Sequence, residues 1–321
     1  MCAPNIFRTS FSNWQPGFPM GKVVWDAGHK RAITFSWKYG AGEESVGGFK
    51  EGFTKAGGTI EAELYLPFPE VEFQSYLTQI AEKKPDAVYV FFAGGGAVKF
   101  VKDYAAAGLK KSIPLYGAGF LTDGTLPAQG EAAEGLQTTL HYADDLDNPV
   151  NKAFRENYMK RYGAEPDVYA VQGYDASALL AAGLEAVKGD FKAREAMQKA
   201  MRNAKLDSPR GPISFSAAQN PVQNIYLREV RKGRNAFVKI AHQGLADPGE
   251  GDLVDVVQQR RGRGLQAGES RPLGGRDQDV RSDHADGGGG RILLELQRHK
   301  LLAGNQACGI QLCPHPTVHH G

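Results

Sequence analysis

The chain has 321 residues, of which 41% are hydrophobic and 10% aromatic, and its formal net charge is +2. This length suggests two domains and this composition is sufficient for a buried core. The small net charge does not favour binding to nucleic acid or to an anionic membrane. No apolar run reaches the roughly 18 residues of a membrane helix, and the first residues lack the apolar segment of a secretory signal. Cys2, Cys308 and Cys313 are too few for a disulfide framework.

The composition changes near residue 244. All Phe, Trp and Tyr residues precede Gly244, whereas residues 244–321 hold five of the eight histidines and a single lysine. Many arginines, glycine runs and no aromatic residues are what a GC-rich gene gives when it is read in a second frame. We therefore expect low order there, with residues 291–302 as the candidate helix. Some side chains near the C-terminus can be arranged as a zinc site, but their spacing is a weak signal. They are Cys308, Cys313, His315, His319 and His320.

In chain order, the first elements alternate between helix and strand. The first helix has Ser12 or Asn13 as its N-cap and Pro16 near its first turn, and it ends near Gly28. Apolar periodicity then predicts a strand at 32–37, a helix starting near Glu43, a strand at 59–66 and an amphipathic helix through residues 73–80. This alternation is typical of a doubly wound α/β sheet.

Residues 84–120 form the clearest unit. Residues 87–92 are apolar without alternation, which indicates a strand buried on both faces. Three glycines beginning at Gly94 lead into a helix that ends at Gly108, and residues 113–117 form the next strand. Parallel sheets of this kind bind ligands beyond the carboxyl ends of their strands. We therefore expect function at Phe92-Ala93-Gly94 and at Tyr116-Gly117-Ala118.

The remaining elements continue the α/β pattern. A strand at 135–142 leads into an acidic crossing segment at 144–149. The later elements are predicted as helices at 149–162, 168–187 and 193–204, a strand at 212–217, and a hairpin of 223–230 with 236–241.

No motif indicates catalysis. The glycine run lacks the G-x-G-x-x-G spacing of dinucleotide sites, and there is no P-loop. His29 and His141 are isolated and are interpreted as surface or core residues; Asp144, Asp145 and Asp147 are interpreted as a solvated loop. We predict no enzyme activity, cofactor or metal. Aromatic residues at the strand ends instead suit a flat, partly apolar ligand held by backbone amides: Trp14, Tyr39, Phe92, Tyr116 and Phe120.

The order of elements and several strings resemble the leucine/isoleucine/valine-type periplasmic binding proteins, the soluble receptors of ABC importers. The strings are FRTSFSNWQ, KRAITFSWKYGAGEESVGGFKEGFTKAGGTI, KPDAVYVFFAGGGAVKFVKDYAAAGL and PDVYAVQGYDASALLAAGLEAV. The resemblance covers about residues 4–243 and is closest to the branch that binds aromatic acids. It implies a type I periplasmic-binding fold, with doubly wound parallel sheets in two lobes and the ligand between them.

The resemblance also implies boundaries. Residues 1–12 would be a crossover segment, 13–136 the second lobe, 137–220 a crossover and the end of the first lobe, and 221–243 a return to the second lobe. Residues 244–321 have no counterpart in the family. The opening part of the first lobe is expected to be missing, so that lobe is incomplete.

The ligand-binding residues that the resemblance implies are Trp14, Tyr39, Phe92, Ala93, Gly94, Gly117 and Phe120, with Tyr174 from the other lobe. Amino-acid-binding members place an acidic residue where this chain has Gly117-Ala118-Gly119. A buried ammonium without a partner is costly, so the implied ligand is an aromatic or hydrophobic carboxylate, with a branched-chain amino acid left open.

The implied partner is an ABC transporter membrane permease, with no nucleic acid and no membrane insertion. The implied location of an intact member is the periplasm. Two alternatives remain at this point, a sensory ligand-binding domain of the same fold and a flavodoxin- or Rossmann-like enzyme.

Overall fold

The structure is a computed structural model that describes residues 5–248. The predicted helix at 291–302, the candidate zinc ligands and nearly all of the segment interpreted as a second reading frame lie outside these residues. Within residues 5–248 the helices are α1 (Trp14–Asp26), α2 (Gly40–Lys55), α3 (Gln74–Lys83), α4 (Gly94–Ala106), α5 (Leu126–Gln129), α6 (Pro149–Tyr162), α7 (Val168–Ala186) and α8 (Arg194–Arg202). None of them combines the length and apolar character needed to cross a bilayer.

The same residues form nine strands: β1 (Arg31–Lys38), β2 (Thr59–Pro67), β3 (Ala87–Phe91), β4 (Leu115–Ala118), β5 (Gln137–Leu140), β6 (Leu206–Ser208), β7 (Gly211–Phe215), β8 (Pro221–Arg231) and β9 (Arg234–Leu245). Their order is β2-β1-β3-β4-β5-β8-β7-β6, and β9 pairs with β8. The first five strands pair in parallel, and β8 joins β5 antiparallel. The predicted α/β fold with a largely parallel sheet is confirmed.

Helices cover both faces of the parallel part of the sheet. The face toward α3 and α4 carries an aromatic core in which the ring of Phe92 lies 4.8 Å from Phe100 and 5.0 Å from both Phe35 and Phe73. The opposite face is covered by α1 and α2, where Phe49 stacks on Tyr89 at 4.2 Å. Burial on both faces explains the unbroken apolar run of β3.

Glycines allow α1 and α2 to pack backbone against backbone. A Cβ added at Gly48 would lie 2.6 Å from the carbonyl oxygen of Trp14, and one at Gly52 would overlap the carbonyl oxygen of Phe18. On α1, a Cβ at Gly17 or Gly21 would overlap backbone atoms of α2 in the same way. Only glycine has no Cβ, so these positions set how closely the two helices approach.

Strand β8 connects two regions of the fold. Its first residues pair with β7, while residues from Tyr226 onward pair with β5. The region of α6 to α8, β6 and β7 has a smaller core, which contains Leu179, Leu206 and Ile213. The sequence did not predict β6, which has only three residues.

Two helix starts differ from expectation. Asn13 occupies the N-cap position of α1, but its side chain donates to Glu44 at 3.2 Å and makes no capping bond. The Ser12 hydroxyl is buried without a hydrogen-bond partner among residues 5–248, so the prediction of a side-chain cap is wrong. Helix α2 begins at Gly40, before the predicted start near Glu43.

Candidate functional site

Aromatic side chains meet at the carboxyl edge of three neighbouring parallel strands. Tyr39 directly follows β1, Phe91 ends β3, and Phe120 lies in the turn after β4. The ring centres of Tyr39 and Phe91 are 6.3 Å apart, and those of Phe91 and Phe120 are 6.1 Å apart. This edge of the sheet is where such folds bind ligands.

Three further rings extend this row. Phe11 lies 5.5 Å from Phe120, Tyr169 at the start of α7 lies 6.5 Å from Phe120, and Phe68 stacks on Tyr39 at 4.9 Å. Phe68 and Tyr169 are both 55% exposed. We call these six residues the aromatic wall: Phe11, Tyr39, Phe68, Phe91, Phe120 and Tyr169.

Two helices begin at the same edge without a side-chain cap. The N-cap residues of α2 and α4 are Tyr39 and Ala93, both extended, and neither helix has a capping hydrogen bond from a side chain. The first N–H groups of a helix have no acceptor within it and favour an anion. Gly40, Gly94 and Gly95 are exposed, and no atom lies within 4 Å of where their Cβ would be. An anionic group therefore has space beside the aromatic wall.

The end of β4 and the residue that follows it carry no charge toward this edge. Residues 117–119 are Gly-Ala-Gly and buried. Asp123, the first acidic residue that follows them, is engaged with Arg228, whose Nη2 lies 2.7 Å from its Oδ2. An ammonium group at this edge would therefore find no acidic partner in the turn.

Three of the aromatic residues predicted at the strand ends have side chains that lie in the core or between helices. The Phe92 ring is fully buried in the core toward α4, because successive residues of a strand face opposite sides of the sheet. Phe91 is the residue that reaches the wall. Trp14 stacks on Phe18 at 4.5 Å, and its Nε1 donates to Glu51 at 2.9 Å, so its side chain packs between α1 and α2. Tyr116 is likewise a core residue on that face.

Tyr174 also differs from expectation. Its ring packs 5.3 Å from Phe154 and lines an open groove along α6. Five residues along a helix correspond to a rotation of about 140° beyond one turn, so Tyr174 lies on another face of α7 than Tyr169. Tyr169 is the α7 side chain that contacts Phe120. The sequence signal for it was its position at the start of the helix.

His141 is a core residue, one of the two interpretations made from the sequence. It is fully buried, its ring lies 4.8 Å from Phe11, and its Nε2 is 3.3 Å from the amide nitrogen of Gln172. Nδ1 has no hydrogen-bond partner within residues 5–248. Burial, and then the positive charges of Arg210 and Arg228, lower the pKa of His141 well below its usual value.

Two acidic side chains of the loop after β5 have partners within the protein. Asp145 accepts from the Phe237 amide at 2.6 Å, and exposed Asp147 pairs with Lys152 at 2.7 Å. In the part of the chain that the structure describes, no group of three or more His, Cys, Asp or Glu side chains is arranged to hold a metal ion.

The buried His141 predicts a pH dependence of stability. Its folded pKa is lowered, so below about pH 6.5 the unfolded chain binds a proton that the folded chain does not. The free energy of unfolding should fall with decreasing pH, approaching about 1.4 kcal/mol per pH unit for this one proton. We expect the variant His141→Gln to have a shallower dependence between pH 7 and 5 in urea unfolding.

The raised pKa values of Asp144 and Asp175, both caused first by burial, act with the opposite sign and are present in both proteins. The difference between the two profiles therefore isolates His141. His29→Gln is the comparison variant, because His29 is less buried and its pKa is also lowered; its effect should be smaller. Parallel profiles for His141→Gln and the unsubstituted chain would contradict this prediction.

The chain is similar in sequence to a known family and to its members. The sequence profile of the periplasmic binding protein family matches residues 1–235. A Leu/Ile/Val-binding protein homolog of Brucella melitensis is 36% identical over 72% of this chain and 60% of its own length. The chain thus spans less than two thirds of the curated relatives that it matches.

Solved structures that resemble this chain are also of solute-binding proteins. A solute-binding protein of an ABC transporter from R. palustris, in complex with benzoate, is 53% identical with a TM-score of 0.73, covering 77% of this chain and 68% of that one. A solute-binding protein from Rhodopseudomonas palustris BisB5, in complex with 3,4-dihydroxybenzoic acid, is 34% identical with a TM-score of 0.70. The match covers 77% of this chain and 70% of that one. The resemblance inferred from the sequence is confirmed. The chain belongs to the periplasmic binding protein family.

Proposed function

We propose that this chain is the solute-binding component of an ABC importer for a small aromatic or hydrophobic carboxylate. The observation that carries the proposal is the aromatic wall beside two helix starts without a side-chain cap, next to residues 117–119, which carry no acidic side chain. The benzoate and dihydroxybenzoate complexes of the relatives support the same ligand class.

The chemistry of binding follows from these parts. Rings of the aromatic wall contact a flat ligand through offset or edge-to-face packing. Backbone N–H groups at the starts of α2 and α4 receive its carboxylate. An α-amino acid would leave its ammonium without an acidic partner at residues 117–119, which costs free energy. A branched-chain amino acid is therefore the second candidate ligand, supported by the names of the curated relatives.

The proposed contact residues combine sequence and geometry. Tyr39, Ala93, Gly94, Gly117 and Phe120 keep the role that the resemblance implied, with Gly117 behind the turn. The additional residues come from the aromatic wall: Phe11, Phe68, Phe91 and Tyr169.

The remaining parts of the proposal concern the whole protein. Lobe boundaries are those inferred from the sequence, and ligand binding would close the lobes by hinge motion. The partner would be a membrane permease, the location the periplasm, and the role binding without catalysis. A sensory domain with the same fold is the alternative; it would bind the same ligand without associating with a permease. The family match supports a binding protein rather than the flavodoxin- or Rossmann-like enzyme as the role of this chain.

The test is titration of the chain with benzoate and with leucine, with binding measured by calorimetry and by tryptophan fluorescence. We expect saturable binding that favours benzoate. The variant Gly95→Asp places a negative charge at the start of α4, where it suits the helix but repels a carboxylate. It should weaken benzoate binding at least about tenfold, because two like charges would then share one site, without loss of thermal stability.

Gly95→Asn is the matched control, with the same shape and no charge, and its loss of affinity should be clearly smaller. Equal losses in both variants would argue against an anion at this helix start. Absence of saturable benzoate binding by the unsubstituted chain would overturn the proposed function.

A further inference from the structure

Arg228 is a fully buried arginine on β8 that lies behind the turn carrying Phe120. Its guanidinium donates to both carboxylate oxygens of Asp123, at 3.2 and 2.7 Å. It also donates to the Thr138 hydroxyl at 3.0 and 3.2 Å and to the carbonyl oxygens of Tyr142 at 3.1 Å and Gly119 at 3.4 Å. One side chain thus holds four separate groups.

These groups belong to three parts of the fold. Gly119 and Asp123 are the two ends of the turn after β4, Thr138 lies on β5, and Tyr142 follows β5 directly after His141. Arg228 therefore fixes the turn relative to the segment that leaves the sheet beside Phe11. A lysine could not reproduce this, because only the planar guanidinium presents a fork of five donors.

Phe120 depends on this turn for its position. The Phe120 ring is partly buried, and its ring contacts are with Phe11, Phe91 and Tyr169. The ring is attached to the backbone of this turn, so a displacement of the turn also displaces the ring from these three partners. A second clamp, Thr122 Oγ1 to Asn235 Oδ1 at 2.7 Å, fixes the same turn from β9.

We propose that Arg228 is a positioning residue for ligand binding, which sets the place and angle of Phe120 in the aromatic wall without touching the ligand. This inference rests on the proposed function. A buried arginine is costly to desolvate and is held only with complete pairing. Here two of the four groups that Arg228 holds, Gly119 and Asp123, belong to the turn that carries Phe120.

The ligand series can separate positioning from general stability. A flat ring such as benzoate gains from a correctly oriented Phe120, whereas cyclohexanecarboxylate, with the same carboxylate and a similar apolar area, gains little from ring orientation. Loss of positioning should therefore lower the preference for benzoate over cyclohexanecarboxylate. A purely structural defect, measured while the protein is folded, would leave this preference unchanged.

The experiment measures both dissociation constants for the unsubstituted chain, Arg228→Met, Arg228→Lys and the control Arg231→Met. Arg231 lies on the same strand and is exposed, paired with Glu229. We expect both Arg228 variants to bind benzoate about three- to tenfold more weakly, with less than about a twofold change for cyclohexanecarboxylate. The control should retain the original preference.

The outcomes are distinct. If the unsubstituted chain does not bind benzoate, the proposed function fails. If it binds, and the folded Arg228 variants keep the original preference, the role of Arg228 is overturned. If Arg228→Met does not fold, the preference for benzoate is measured on Arg228→Lys alone, because this variant keeps a positive charge opposite Asp123.

Discussion

Gly52→Ala should lower the free energy of unfolding by about 3 kcal/mol, through overpacking of α1 against α2. The new methyl group would overlap the carbonyl oxygen of Phe18. That atom belongs to the helix backbone, so it cannot rotate away as a flexible side chain can. Relief requires the two helices to separate, and separation would also disturb the buried side chains of α2 that pack on the sheet, among them Phe49 and Phe53.

Gly47→Ala is the matched control on the same helix. No atom lies within 4 Å of its Cβ position, and its φ is not in the left-handed region. Alanine at an open helix-interior position should stabilise the fold by about 0.5–1 kcal/mol. Urea unfolding monitored by circular dichroism measures both variants. Similar shifts of the same sign would contradict the backbone packing described here.

Arg210→Met should destabilise the fold by about 3–5 kcal/mol, the typical cost of leaving a buried charge unpaired. Arg210 Nε lies 2.8 Å from Asp175 Oδ2, and both side chains are almost completely buried. The arginine also donates to the carbonyl oxygen of Thr9 at 2.5 Å and to Gln223 Oε1 at 2.7 Å. It thereby joins α7, the segment before α1 and β8.

The cost should depend on pH in a defined direction. Burial raises the pKa of Asp175, and Arg210 partly opposes this. Without Arg210 the folded pKa of Asp175 rises further, so the variant loses least stability at low pH, where the carboxyl is protonated, and most at neutral pH. Unfolding in urea at pH 5 and pH 7.5 compares the two conditions.

The double variant Arg210→Met with Asp175→Leu provides the control. Removing both charges should recover much of the loss, because no unpaired ion then remains buried. A double variant whose loss equals the sum of the two single losses would show that the pair is not coupled.

Some boundaries could be predicted because local chemistry determines them. The starts of α6 and α7 were predicted correctly, and in the structure Asn148 and Asp167 cap them by accepting hydrogen bonds from amides three residues later, at 2.7 and 2.8 Å. Gly163, with a φ of 68°, ends α6 in the left-handed conformation that glycine adopts readily. Each of these signals acts within one helical turn.

The side chains of the site depend on longer-range packing. A strand buried on both faces shows no alternation of polarity, so the sequence could not tell whether Phe91 or Phe92 faces the strand edge. The polar and apolar residues of α7 do not separate onto two faces, so its sequence likewise gave no sign of whether Tyr169 or Tyr174 faces Phe120. Strand ends could be located from glycines and periodicity, but the ring that each strand end presents was set by tertiary contacts.

Strand β8 has a consequence for how the molecule is divided. Its first residues complete the pairing of β7, and its later residues complete that of β5 and β9. Any cut of the chain that leaves β8 with one region removes a hydrogen-bonded neighbour from the other. We therefore expect the two regions to unfold together, because excising either one removes a hydrogen-bonded neighbour from the sheet of the other.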